Sequence, residues 1–125
     1  MSAEEIKAIA HRYCEVWNKG DLALLDEIMA TDIVYHHPRE DIHGLEEYKQ
    51  VETRARSHYT DLHLTIDDIV IEGDKVATRW TITGTDKATN KQVTMWGVNI
   101  GRIEGGKIVE GWEGWGKRRE GGEIR

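Results

Sequence analysis

Tyr13, Tyr35 and His37 are the residues from which chemistry would start. Two phenols and an imidazole reach one cavity if residues 13–38 fold as helix, tight turn, helix and strand. Imidazole titrates near ~6.5 in water, so His37 can hold or release a proton at neutral pH. A phenol can donate a hydrogen bond to an oxygen on which charge builds. A plainer reading stands beside this one. His37 is then a strand-end histidine bonded to a loop carbonyl, and Tyr13 a core tyrosine whose hydroxyl finds a partner.

Near the C-terminus, strict alternation puts Glu110 and Trp112 on one strand face with Ile108. Val109, Glu113 and Trp115 take the other. If Ile108 faces the hollow, so do Glu110 and Trp112. A half-buried Glu110 would then have a raised pKa and serve as a second acid or base. The alternative is an ion pair with Arg79 or Arg102, since buried charges are paired. Asn99 shares a face with Gly97, Gly101 and Ile103, small neighbours that leave room for a ligand or for a closely packed helix.

The elements that must position these groups follow from periodicity. Ser2 and Glu5 form a capping box, and Ile6, Ile9, Tyr13, Val16 and Trp17 recur at helical spacing. Gly20 ends that helix and Asp21 caps a second, with Leu22, Leu25, Ile28 and Met29 as its apolar stripe. Thr31-Asp32 breaks it. Residues 33–37 read as a strand with Ile33, Tyr35 and His37 on one face, stopped by Pro38. A polar loop through Gly44 leads to a third helix over 45–59. Its inward residues are Leu45, Tyr48, Val51, Ala55 and Tyr59, and its charge places it outside the sheet. Strands are expected over 62–72, 75–86, 92–104 and 107–115. Gly73-Asp74 and Gly105-Gly106 make tight hairpins, and 87–91 a longer one. Helices followed by an antiparallel meander define an α+β domain. Glycines inside the strands allow sharp bending, and a sheet bent that far leaves a hollow.

Composition sets the outer bounds. A chain of 125 residues, 38% hydrophobic and 32% charged, is one globular domain. Its net charge of −6 leaves no basic footprint for nucleic acid or an anionic membrane. Lys117-Arg118-Arg119, diluted by Glu120 and Glu123, reads as a solvated tail. No apolar run approaches the ~20 residues of a membrane span, and the acidic start is unlike a signal peptide. Cys14, the single cysteine, fits a reducing cytoplasm and has no evident base. His36 and His37 point to opposite faces and cannot share an ion, so neither a metal nor another cofactor is expected. Phosphate loop, dinucleotide signature and nucleophile elbow are all absent from the sequence. Five tryptophans accompany no phenylalanine. Trp96 and Trp115 are candidates for an outer sheet face, and an exposed aromatic face of that kind argues for a partner.

Helix, Gly20-Asp21, helix, strand, third helix and four long strands together resemble the nuclear transport factor two-like cone fold. The resemblance covers nearly the whole chain. It implies N-terminal helices packed in a strongly curved antiparallel sheet, and homodimers through the outer sheet face. The segment Tyr13, Asn18-Lys19-Gly20-Asp21-Leu22, His37-Pro38 resembles ketosteroid isomerase. That likeness implies Tyr13 as oxyanion donor, His37 as general base and Asn99 as a third, donating member. Val76-Ala77-Thr78-Arg79-Trp80, Gly84-Thr85 and Gly106-Lys107-Ile108-Val109-Glu110 with Trp112 resemble SnoaL-like polyketide cyclases, which close rings by an aldol step. Gly116 stands where that group often has an aspartate, and the 87–91 hairpin lacks the cyclases' longer insertion.

The resulting expectation is cofactor-independent acid–base chemistry next to a carbonyl, on a small hydrophobic substrate. His37, Tyr13 and Asn99 would act, and Tyr35, Trp17, Trp80, Glu110 and Trp112 would line the pocket. Two further readings stay open. One is a binding protein for a small hydrophobic ligand, the other a dimerisation domain whose hollow is filled by its own side chains.

Overall fold

The computed structural model describes residues 1–121, so Glu123 lies outside the described residues. Helix α1 spans Ala3–Lys19. Its capping box is closed on both sides: Glu5 N donates to Ser2 Oγ at 3.1 Å and Ser2 N to Glu5 Oε1 at 3.0 Å. Such a cap contributes about 1 kcal/mol by pairing otherwise orphaned amides. Gly20 ends α1 at φ 70°, a left-handed conformation that costs glycine little. Asn18 ties the helix end to the sheet, accepting from Leu64 N at 2.6 Å and donating to Leu64 O at 3.0 Å.

The second helix is shorter than its stripe suggested. A 3-10 turn, Leu22–Leu24, runs into a single α-turn, α2, Leu25–Ile28. Strand β1 then begins at Met29 and continues to His36, straight through Thr31-Asp32. The reason is tertiary. Met29 pairs with Ile108 on a later strand, and β-branched Thr31, Ile33 and Val34 suit extended backbone. Asp41–His43 forms β2, a short edge strand beside β1, where the sequence suggested only a loop.

Helix α3 spans Leu45–Ser57, and β3 to β6 cover Tyr59–Glu72, Lys75–Asp86, Gln92–Glu104 and Lys107–Trp115. A short β7, Arg119–Glu120, pairs with the start of β5. The strand order is β2-β1-β6-β5-β4-β3. Four strands form the expected antiparallel meander, but β1 joins β6 in parallel, so the curled, unclosed sheet is mixed. The basic run is a strap rather than a free tail. Arg118 donates to Asp86 Oδ2 at 2.8 Å, to Tyr59 Oη at 3.1 Å and to Glu120 Oε1 at 3.0 Å.

The core lies in the concavity. Ile6, Ile9 and Val16 of α1 meet Leu25, Ile28, Met29, Ile33, Tyr35, Ile103 and Ile108. Burying each such side chain stabilises the fold by roughly 1.5–3 kcal/mol before entropy is counted. Helix α3 belongs to this layer and not to the outside: Leu45, Tyr48 and Glu52 are its buried residues. Its charge had argued for the outer position, but Leu45 and Tyr48 turn inward and take Glu52 in with them. Ala55, expected inward, is exposed.

One irregularity decides what enters the hollow. Arg102 faces Glu110 and Ile103 faces Ile108, so β6 carries an extra residue opposite a single step of β5. A bulge of this kind flips the side-chain alternation beyond it. Ile108 points inward before it; Gly111 and Glu113 point inward after it.

Candidate functional site

The concave face keeps a cavity of about 100 Å³. Its polar lining includes Tyr13, Trp17, Tyr35, Trp80, Asn99 and Glu113, and Ile66, Val76, Ile82 and Met95 are among its apolar walls. Gly97 and Gly111 make the space. A Cβ on Gly111 would stand 2.6 Å from the Tyr35 ring, and one on Gly97 2.5 Å from the Trp80 ring. Both rings therefore pack against bare backbone.

A directed chain of hydrogen bonds crosses the sheet floor. Trp80 Nε1 donates to Asn99 Oδ1 at 2.6 Å, Asn99 Nδ2 donates to Tyr35 Oη at 2.9 Å, and Tyr35 donates to Glu113 Oε1 at 2.6 Å. The order is forced. Indole nitrogen only donates, and a carboxylate only accepts. Burial pushes the Glu113 carboxyl above its ordinary range, against the hydrogen bonds from Tyr35 and Asn99 that favour its ionised form.

Helix α3 supplies a second chain. The Tyr13 and Tyr48 hydroxyls share a hydrogen bond, and the Tyr48 ring meets Tyr35 edge-on at 4.9 Å. Glu52, one turn beyond Tyr48, is buried, and its Oε2 has no partner among the described residues. Burial first, and the charge of Glu113 next, raise its pKa to about 8, with Tyr48 and Arg56 opposing. Burial likewise holds all three tyrosines well above the ordinary phenol value, so they are protonated at neutral pH.

Of the residues singled out in the sequence, Tyr13, Asn99, Tyr35, Trp17 and Trp80 line the cavity. His37, Glu110 and Trp112 do not. His37 follows Tyr35 on the same face, but two residues farther along, about 6.6 Å, which carries it past the end of the cavity. Its ring lies edge-on to Trp115 at 4.8 Å, and Nδ1 accepts from Arg39 N at 3.4 Å. Burial, with Arg39 adding, lowers its pKa. Trp115 therefore shares the side of Glu113 and His37, not the outer face.

Glu110 and Trp112 are turned outward by the bulge in β6. Glu110 Oε1 accepts from Arg102 at 3.3 Å, and its Oε2 pairs with His36 Nε2 at 2.8 Å. The ion-pair alternative holds for this residue. Its pKa is lowered by His36 first, then by Arg102, opposite to the rise a cavity position would give. Trp112 stacks on the His36 ring at 5.4 Å.

Glu113 and Glu52 escaped the sequence reading, and Tyr48 was read as an inward helix residue but not as part of the site. Strict alternation put Glu113 on the wrong face, and only the bulge corrects it. Glu52 was legible as a charged residue completing the helical stripe Leu45, Tyr48, Glu52. Cys14 is half-buried beside the sheet rather than in the core, its thiol donating to Leu64 O at 3.2 Å with burial raising its pKa.

Helices lying in a curled sheet, with a polar-floored cavity between them, define the cone-shaped α+β class of pocket proteins. Residues 10–111 match the SnoaL-like domain family, and the chain belongs to it. No curated protein sequence matches significantly. Among solved structures, IdmH from Streptomyces antibioticus, a candidate polyketide cyclase, is 30% identical with a TM-score of 0.80 over 87% of this chain and 90% of that one. AclR from Streptomyces galilaeus, a candidate hydroxylase, is 26% identical with a TM-score of 0.83 over 92% and 91%. TsrD from Streptomyces laurentii, at 24% identity and a TM-score of 0.84 over 92% and 90%, shares the fold.

Proposed function

We propose that the cavity performs acid–base chemistry at a carbon next to a carbonyl in a small, hydrophobic, single-ring compound. Glu113 is the base and Tyr13 the hydrogen-bond donor at the carbonyl oxygen. The observation that carries this reading is a buried carboxyl opening into an apolar cavity beside a phenol hydroxyl. A carboxylate with a raised pKa is a better base near neutrality than an ordinary one. It takes the proton, the electron pair moves to the carbonyl oxygen, and Tyr13 meets the developing charge. The enolate then accepts a proton at a more distant carbon, or attacks an aldehyde in the same molecule. Asn99, whose amide already serves Tyr35 and Glu113, positions the base. His37 lies beyond the end of β1 and outside the cavity lining.

Volume sets the size of the substrate. A cavity near 100 Å³ is on the scale of the roughly 150 Å³ engineered cavity that takes benzene. It is smaller than the few hundred Å³ usual for ligand sites, which favours a second reading, a hollow largely filled by Trp17 and Trp80. Isomerisation of cyclohex-3-enone to its conjugated isomer, followed by ultraviolet absorbance, separates the two. The first reading expects protein-dependent turnover lost in Glu113→Gln and retained in His37→Ala. No turnover above buffer with this or related single-ring enones favours the second.

We further propose that the domain pairs with a second copy through its outer sheet face. Trp96, Val98 and Ile100 stand exposed along β5, and Arg79, Asp68, Arg102 and Glu110 rim them. A face carrying both signs of charge around an apolar stripe is complementary to itself under a two-fold axis.

A further inference from the structure

Glu52 takes no part in the chemistry above, yet it ends the hydrogen-bond chain that runs through Tyr48 to Tyr13. Glu52 is buried one turn beyond Tyr48, whose hydroxyl is in reach to favour its anion, and its oxygen Oε2 is unpartnered among the described residues. An unpartnered carbonyl oxygen in such a place is tolerable; an unpartnered share of full charge is far more costly. Each tyrosine has one hydrogen to give, so the chain can point in only one direction at a time.

We propose that the proton on Glu52 sets the direction of the Tyr48–Tyr13 chain and thereby decides whether Tyr13 can donate into the cavity. Protonated Glu52 donates to Tyr48, Tyr48 donates to Tyr13, and the Tyr13 hydrogen is free for a ligand oxygen. Ionised Glu52 can only accept. Tyr48 then turns its hydrogen to the carboxylate, Tyr13 gives its own to Tyr48, and the cavity meets a lone pair. The Trp17 indole donates to Tyr13 in either state and does not break the choice. The groups acting on Glu52 are Tyr48 and Arg56 on its own helix, and Glu113 from β6. Tyr13 on α1 and Tyr35 on β1 feel its charge in turn. Of these only Glu113 also titrates as a carboxyl, and its charge favours the protonated Glu52. Glu52 is thus a positioning residue, and the site is open for oxyanion binding below its midpoint and closed above. This inference rests on Tyr13 being the cavity's donor, as proposed above.

The test is binding of pentafluorophenolate, a single-ring oxyanion that stays ionised from pH 7 to 9.5, followed by ¹⁹F NMR. One hydrogen bond to a charged oxygen corresponds to roughly tenfold or more in affinity. Wild type is expected to lose about tenfold between pH 7 and 9.5, with a midpoint near 8. Glu52→Gln is expected to bind without that step. Tyr13→Phe is expected to bind weakly at both pH values, also without the step. An equal step in Tyr13→Phe would mean plain charge repulsion and overturn the proposal. So would a flat wild-type profile with Tyr13-dependent affinity, which leaves the donor role of Tyr13 standing. No binding at any pH overturns both the inference and the donor role. A ¹³C-carboxylate glutamate titration reads Glu52 directly if the glutamine variant folds poorly, and a midpoint below 6 overturns the switch.

Discussion

Glu113 and Glu52 are two carboxyls in one interior, and environment separates them. Glu113 has Tyr35 at 2.6 Å and Asn99 beside it to favour its anion, whereas Glu52 has an oxygen with no partner among the described residues. Interacting carboxyls split in this way, one keeping its proton while the other ionises. Stability records the split. Unfolded, Glu52 releases its proton near ~4.3; folded, it keeps it to about 8. The fold therefore loses stability as pH rises through that window, by an amount on the order of a few kcal/mol. His36, raised by Glu110 and Asp41, has the same sign: its contribution is complete below ~6.5 and is lost as pH rises through its folded value. Thermal melts of the wild type are expected to fall from pH 5 to pH 9, and those of Glu52→Gln to fall much less. Parallel curves for the two proteins would show that Glu52 is not the buried acid. At this scale the sequence was half legible. Tyr13 stood out by helical spacing, and Asn99 through its small neighbours and the family resemblance. Glu52 was missed because a charged residue on a charged helix looks solvated, even one turn beyond an inward Tyr48.

Among the elements, α1, β4, β5 and β6 followed directly from caps, periodicity and glycine turns. The capping box, Gly20 and the hairpins are local, so local sequence carries them. What was not legible depends on partners far away in the chain. Strand β1 starts at Met29 because Ile108 lies beside it, β2 exists because β1 offers an edge, and β6 bulges against β5. The bulge matters most for the cavity, since it exchanges Glu110 for Glu113 in its lining. The two glycine-backed aromatic sites make a test at this scale. Gly111→Ala places a methyl 2.6 Å from the Tyr35 ring, which must swing away from Glu113. Overpacking of this sort typically costs about 1–3 kcal/mol. Urea melts are expected to show that loss, with Tyr35 no longer bonded to Glu113 in a crystal structure. An unchanged midpoint would mean that the sheet relaxes around the methyl.

The molecule as a whole is a cone whose concave side holds the cavity and whose convex side holds an apolar stripe. The two faces make separable predictions. Trp96, 48% exposed, is the largest side chain of that stripe, and Trp96→Lys is expected to shift sedimentation from dimer toward monomer. A wild type that sediments as a monomer at high micromolar concentration contradicts the self-pairing face and leaves the cavity untouched. The central claim, that Glu113 removes a proton next to a carbonyl, is tested most directly by deuterium exchange. Incorporation at the α-carbons of cyclohexanone in D₂O, followed by ¹H NMR, detects proton removal alone. It does not depend on whether the enolate goes on to isomerise or to close a ring. Wild type is expected to accelerate exchange above buffer. Glu113→Gln should lose about 10²–10⁴-fold of that rate, the usual share of a general base, and His37→Ala should keep it within a few fold. Exchange that persists in Glu113→Gln and disappears in His37→Ala would contradict the account.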